Sequence, residues 1–347
     1  MRDFDRVCDF GSLYKAHLKA CKGKRHKRDV MSFEMNLAYH LSELQEQLIN
    51  ETYEMSGYRH FYVHEPKLRD IYEVAHVDKV LMHVLCDEVL IPRLSPHFIY
   101  DNAACQVGKG THFAMDRFSK FLREQMKVRG RDFYVLKCDI SKYFASINHV
   151  VLKEKLARKI ADPNVLKLIN GLIDSYHTND RPRFGIPLGN QTSQWFALFY
   201  MSDFDHFVKE RLGVRGYIRY MDDFVLIHDD PKFLWSALAE IERFLSVGLN
   251  LRLNPKTAVI KVSRGVEFLG WRFVVAANGR VIRRVKVQSK ARIRKGLRRI
   301  GRGYAHGNLK FNDVCQRVCS YEGHLRHGNA HYLSQKLMSE VSLEFMD

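Results

Sequence analysis

Tyr217-Ile218-Arg219-Tyr220-Met221-Asp222-Asp223-Phe224-Val225-Leu226-Ile227-His228 is two apolar, β-prone runs joined at an acidic tip. Aromatic and β-branched residues on either side of two carboxylates predict a hairpin. A charge at the end of a strand that is otherwise suited to burial costs free energy unless a cation meets it. Asp139 repeats the arrangement: Phe133-Tyr134-Val135-Leu136 reads as a buried strand, and Lys137-Cys138-Asp139 ends it. If the two strand ends are neighbours, Asp139, Asp222 and Asp223 converge on one point. Such a cluster suits Mg²⁺, a hard cation that takes a few carboxylates together with waters and substrate phosphates. Two ions about 4 Å apart can activate an attacking hydroxyl and stabilise the leaving oxygen of an in-line phosphoryl transfer.

An Asp-Asp doublet alone says little, and Asp229-Asp230 shows why. Asp230 precedes Pro231 and a helical run, so it reads as an N-cap followed by proline at the first helical position. Around these acids, residues 30–56, 77–94 and 113–127 carry apolar side chains at helical spacing, and the segment from Tyr58 to Tyr72 is β-like around Glu65-Pro66. Val266–Val275 and Arg280–Val287 predict a second hairpin with Ala277-Asn278-Gly279 as its turn. Three helical segments follow from Gln288, broken near Gly307 and Gly328, and the first is strongly basic.

The chain has 347 residues, 46% of them hydrophobic, which is enough for a multi-lobed soluble protein with a sizeable core. Its formal charge of +17 is too lopsided for an ordinary cytosolic enzyme and favours a polyanionic partner such as nucleic acid. The charge is also concentrated. From Phe268 to Asn312 there are thirteen Lys or Arg and no acid, and Lys15 to Arg28 holds seven more. A solvated basic surface or a membrane-surface patch is the bland alternative, but aromatics among the charges favour nucleic acid. The opening MRDFDRVCDF carries acids where a leader needs an apolar core, and no eighteen apolar residues run together, so a cytoplasmic protein without membrane contact is expected. Seven cysteines form no regular framework and are expected as thiols. Cys315, Cys319, His324 and His327 fit none of the common zinc spacings well, and a helix with buried thiols is the better reading.

With these residues in view, a family resemblance follows. Tyr220-Met221-Asp222-Asp223 resembles the YxDD box of reverse transcriptases, and Asp139-Ile140-Ser141-Lys142-Tyr143-Phe144 resembles their first metal-binding motif. Between them, Gly185-Ile186-Pro187-Leu188-Gly189-Asn190-Gln191-Thr192-Ser193-Gln194 is similar to the segment that positions template and nucleotide. Asn254-Pro255-Lys256-Thr257 resembles the lysine-bearing motif and Val266-Glu267-Phe268-Leu269-Gly270-Trp271 the primer grip. Upstream, Glu65-Pro66-Lys67-Leu68-Arg69 and Gly108-Lys109-Gly110-Thr111-His112 resemble fingers motifs. The match covers roughly residues 58–275. Within the family, the Leu-Gly-Asn-x-x-Ser-Gln form and Gly-Lys-Gly-Thr-His most resemble the reverse transcriptases of diversity-generating retroelements, whereas retron and intron enzymes usually carry Gln-Gly and Ser-Pro at the corresponding places.

The resemblance implies an α+β right-hand polymerase fold. It assigns residues 1–115 to an N-terminal extension and fingers, 116–149 and 191–275 to the palm, 150–190 to the second part of the fingers, and 276–347 to a helical thumb. It implies an RNA-directed DNA polymerase with two Mg²⁺ ions, for which Mn²⁺ can substitute. Asp139 and Asp222 would be the principal ligands, with Asp223 assisting and the Ile140 carbonyl completing the nucleotide-side ion. Lys67 and Arg69, together with Lys142, Tyr143, Phe144, Leu188, Gly189 and Gln194, would surround the incoming deoxynucleoside triphosphate; an arginine fork and a lysine point charge both suit phosphate. An aromatic ring under the sugar would exclude a 2′-hydroxyl; the family register points to Phe144, while periodicity does not choose between it and Tyr143. Lys256 has either a general-acid role toward pyrophosphate or a structural salt bridge.

Phe268, Leu269, Gly270 and Trp271 would grip the primer. Lys109 and the face formed by Lys290, Arg294, Arg298 and Arg302 would contact nucleic acid, the last four at four-residue spacing along one helix. Implied partners are an RNA template, a DNA or RNA primer and a small basic helical accessory protein. Lys15–Arg28 binds structured RNA or an acidic protein surface, and the sequence does not decide which. Leu188 stands where many reverse transcriptases have glutamine, so shape and dispersion replace a hydrogen bond near the nascent pair and fidelity should fall. Two readings compete: a retron-like or defence-associated reverse transcriptase, and a non-catalytic RNA-binding scaffold on the same fold.

Overall fold

The computed structural model describes residues 2–64, 68–178 and 181–344. The chain divides into two compact units, each made of separate stretches of sequence. One comprises Met1–Val107, Ile140–Leu212 and Glu240–Asn254; the other comprises Gly108–Asp139, Gly213–Ala239 and Pro255–Asp347.

The first unit is mainly helical. Its helices begin where short polar side chains meet free backbone N–H groups. Asp9 caps the helix Phe10–Ala20 by accepting from the Ser12 N–H at 2.8 Å. Asp162 caps Pro163–Asp174, with proline at the start, and its second oxygen accepts from the Phe4 N–H at 2.9 Å. The helical spacing over 30–56 resolves into two helices, Arg28–Met35 and Leu37–Ile49, because Asn36 leaves helical geometry at φ −126° and ψ 44°. A π-helical segment, Cys86–Leu90, lies between His76–Leu85 and Ile91–Leu94 within the expected 77–94 stretch. Among the described residues the sheet of this unit is a pair of strands, β1 (Tyr58–Val63) and β2 (Arg69–Val74). The expected motif residues Glu65, Pro66 and Lys67 lie outside the described residues.

The second unit holds two antiparallel sheets. The first contains β3 (Tyr134–Asp139), β4 (Gly216–Tyr220), β5 (Asp223–His228) and β6 (Ala258–Lys261), in the spatial order β4-β5-β3-β6. Val135, Leu136, Cys138, Phe224, Val225 and Leu226 are fully buried, as expected for central strands. The second sheet is a meander of β7 (Val266–Phe268), β8 (Trp271–Val275) and β9 (Val281–Val285). The apolar run Val266–Val275 is therefore two strands rather than one. Leu269 and Gly270, at φ 46° and 84°, form the two-residue turn between them, and positive φ at both central positions is the hairpin geometry that matches strand twist. Three helices complete the unit: Val287–Ala305, Phe311–Arg326 and His331–Glu344. Arg283 of β9 ties this region to the helix Thr111–Arg129 through Asp116 and Ser119.

All seven cysteines are free thiols. Cys315 and Cys319 lie on a helix as expected, but their thiols are not buried: Cys319 is exposed and Cys315 half-buried. The helix is amphipathic with Val314 and Leu325 inward, which turns Cys319 to solvent. Among the described residues these two cysteines and His324 and His327 do not gather into a metal-ligand group. No helix among them is long and apolar enough to cross a membrane.

Candidate active site

Strand register brings two of the three acids together. Asp139 of β3 pairs directly with Asp223 of β5, and Asp223 pairs with Tyr220 of β4. Directly opposed residues share a face of the sheet, so Tyr220, Asp223 and Asp139 form one row, with side chains of adjacent members about 5 Å apart at Cβ. Met221 and Asp222 make the turn, and Met221 is held at φ 56°, an unfavourable conformation for a long side chain. Arg219 helps to hold it: this fully buried residue donates from Nη1 to the Met221 carbonyl at 2.9 Å. Arg219 did not stand out in the sequence; its only signal is a cation inside an otherwise apolar strand.

The electrostatics of the row follow from its geometry. Burial pushes the Asp223 carboxyl up to about 7; the negative charges of Asp139 and Asp222 add to the shift, while Lys137 and Lys286 oppose it. Asp223 Oδ1 is buried and has no hydrogen-bond partner. A buried, unpartnered carboxylate oxygen among two further carboxylates is a poor site for an anion alone and a good one for a divalent cation. The donor set, all hard oxygens, fits Mg²⁺ or Mn²⁺. Lys286 also forms an ion pair with Glu267 of β7 at 2.7 Å, another contact that sequence reading missed. Lys256 is exposed in the turn that precedes β6. Because Lys137 pairs with Ala258, register extrapolates Lys256 to the level of Asp139.

The doublet Asp229-Asp230 behaves as the control it was read to be. Asp230 Oδ1 accepts from the Lys232 N–H at 2.8 Å at the head of the helix Pro231–Arg243, and Asp229 pairs with Arg129 at 2.6 Å.

In the helical unit, Ile140 is buried and bridges Leu253, and Lys142 adopts a left-handed conformation (φ 47°) before the single turn Tyr143–Ser146. Tyr143 is buried, and its hydroxyl donates to the Ala197 carbonyl of the helix Gln191–Tyr200. Phe144 stays half-exposed, with its ring edge-to-face on Tyr143 at 5.8 Å. The two neighbours thus differ: one is a core anchor and the other retains a free face. The Phe144 carbonyl accepts from the Ile186 N–H at 2.9 Å, fixing the start of the 185–194 segment to this turn.

That segment then runs beside β2. Tyr72 N–H donates to the Leu188 carbonyl at 3.4 Å, and a Cβ on Gly189 (φ 116°) would lie 3.6 Å from Ile71. Leu188 is half-buried, while Arg69, Gly189 and Gln194 are exposed. Gly189 and Gln194 line a cavity of about 240 Å³ with Lys24, Ile71, Tyr72 and Lys79.

The remaining expected contacts divide. Phe268 and Trp271 are core residues: Phe268 packs on Phe118 at 5.3 Å and Trp271 on His324 at 5.1 Å, so only the turn Leu269-Gly270 offers surface. Lys109 lies 5.6 Å over the Phe113 ring. On the helix Val287–Ala305, Ile293, Leu297 and Ile300 face inward and Lys290, Arg298 and Arg302 are exposed, as are Arg292, Lys295 and Arg299. Arg294 departs from the expected stripe. Its guanidinium forks onto Glu340 of the helix His331–Glu344 at 2.6 and 2.9 Å, holding that carboxyl below its usual range.

The family model described as reverse transcriptase (RNA-dependent DNA polymerase) matches residues 73–273. Protein YkfC of Escherichia coli strain K12 is 26% identical over 281 residues, covering 69% of this chain and 72% of YkfC. Telomerase from Candida albicans, solved in complex with a fragment of telomeric RNA, superposes with a TM-score of 0.50 at 12% identity. That match covers 88% of this chain but 64% of the telomerase chain, so this chain spans less than two thirds of that protein's length. The shared architecture is the α+β right-hand polymerase fold.

Proposed function

The chain belongs to the reverse transcriptase family, and from that premise we propose that it is an RNA-directed DNA polymerase, the error-prone enzyme of a diversity-generating retroelement. In this reading Asp139 and Asp222 hold two Mg²⁺ ions, Asp223 assists, and the Ile140 carbonyl completes the nucleotide side. When bound, such ions activate a primer hydroxyl and offset the charge that builds on the departing pyrophosphate. The chain's own part is to position and to stabilise charge. The observation that carries the metal-binding part of the reading is the unpartnered Asp223 oxygen in a row with Asp139, where a divalent cation would offset the charge that ionising Asp223 brings.

Arg69 and Lys67 bind triphosphate oxygens, Lys142 and Gln194 line the nucleotide, and exposed Lys256 donates a proton to pyrophosphate. The free face of Phe144 excludes a ribose 2′-hydroxyl; Tyr143, tied to Ala197, supports it from the core. Leu188 and Gly189 shape the nascent pair without a polar group. RNA template, primer and deoxynucleotides are the substrates, the Leu269-Gly270 turn meets the primer, and the basic helix Val287–Ala305 tracks the duplex. A small basic helical protein is the expected accessory partner. The subtype is tested by copying a defined RNA and sequencing the cDNA: errors concentrated opposite template adenines support it, and an even, low error rate refutes it.

A further inference from the structure

His17, Cys21 and Glu34 present one ligand atom each, all within 4.8 Å of one another, in the helical unit and with no part assigned to them in nucleotide addition. We propose that these three side chains form a zinc site that clamps the helix Phe10–Ala20 to the helix Arg28–Met35 across the basic turn between them.

The sequence supplies the geometry directly. His17 lies on the last turn of its helix and Cys21 is the C-cap four residues on, still at helical φ and ψ, so both project from the same face. Glu34 reaches them from the next helix. His17 is wholly buried, and its Nε2 lies 3.3 Å from Glu34 Oε1 without a well-formed hydrogen bond. Its other nitrogen, Nδ1, is 3.1 Å from His76 Nε2. With Nδ1 donating to His76, Nε2 keeps a lone pair aimed at the carboxylate and the thiol, an arrangement that a cation relieves. A metal-bound histidine is ordinarily oriented by such a bond from its second nitrogen. Phe33 stacks on the His17 ring at 5.5 Å and fixes its plane.

One nitrogen, one sulfur and one carboxylate oxygen form a zinc donor set rather than a magnesium one. Tetrahedral zinc separates such ligand atoms by about 3.4–3.6 Å, so closing from the observed spacing needs only side-chain adjustment. The fourth position falls to water. Arg25 is the local competitor: its Nε lies 3.0 Å from Glu34 Oε1, but the side chain is 62% exposed and can swing away. Binding releases the Cys21 thiol proton to solvent as the Zn–S bond forms.

The test loads metal-stripped, full-length protein with Co²⁺ as a spectroscopic substitute and with Zn²⁺ against a chromophoric chelator. One equivalent of tightly held metal is expected, with a near-ultraviolet thiolate-to-cobalt band that disappears in Cys21→Ser and weakens in Glu34→Gln. Arg25→Ala should tighten binding at least several-fold by removing a like charge. Circular dichroism and the melting temperature of each variant verify folding. No stoichiometric binding by the parent, or an unchanged cobalt spectrum in folded Cys21→Ser, overturns the proposal.

Discussion

Asp139 and Asp223 face one another across adjacent strands, and one oxygen of Asp223 is buried there without a hydrogen-bond partner. Two carboxyl groups are thereby held side by side on adjacent strands. The arrangement favours a protonated Asp223 in the absence of a divalent ion and an ionised one in its presence.

A pH dependence follows from the sign of that shift. With the folded carboxyl at about 7 against an ordinary 3.8, the native state holds more protons than the unfolded state between those values. Metal-free stability is therefore fully expressed below the lower value and falls as pH rises through the window, on the order of 2 kcal/mol for a half-buried carboxylate. Denaturant titrations at pH 5 and pH 8 should show the loss in the parent and not in Asp223→Asn. Mg²⁺ affinity should move the opposite way, weakening as pH drops below about 7, which isothermal titration will show.

Sugar selection should rest on Phe144 alone. Phe144→Ala is expected to raise ribonucleotide incorporation relative to deoxynucleotide by at least tenfold, measured on paired substrates. Tyr143→Phe removes only the hydroxyl that meets the Ala197 carbonyl, so it should cost about 1–2 kcal/mol of stability and leave selection unchanged.

Leu188 packs beside β2, its carbonyl held by Tyr72. Leu188→Gln offers a hydrogen-bonding group at the same backbone position, and misincorporation should drop several-fold in sequenced cDNA. An unchanged error spectrum would remove Leu188 from the fidelity account.

The basic helix should divide into a binding face and a structural brace. Replacing Lys290 and Arg302 with glutamine should reduce the slope of log affinity against log salt by about 2. Arg294→Gln, which breaks the fork onto Glu340, should lower the melting temperature and change the slope far less.

Much of the architecture was legible because it rests on local alternation. The acidic hairpin, the strand ending at Asp139 and the cap at Asp230 are each written in a few adjacent residues. What escaped depends on distant partners. Nothing near Arg294 names Glu340, nothing in Val266–Val275 except Gly270 announces a turn, and Arg219 reads as a surface cation until its burial is seen. Likewise Phe268 and Trp271, expected at the primer, carry no sign of the Phe118 and His324 rings that cover them.

Deoxynucleotide incorporation on a primed RNA template with Mg²⁺, parent against Asp222→Ala, probes the carboxylate row most directly. The account predicts a fall of at least about 10²–10³ in rate with folding and template binding intact. A folded Asp222→Ala protein that extends primers at the parent rate would contradict it.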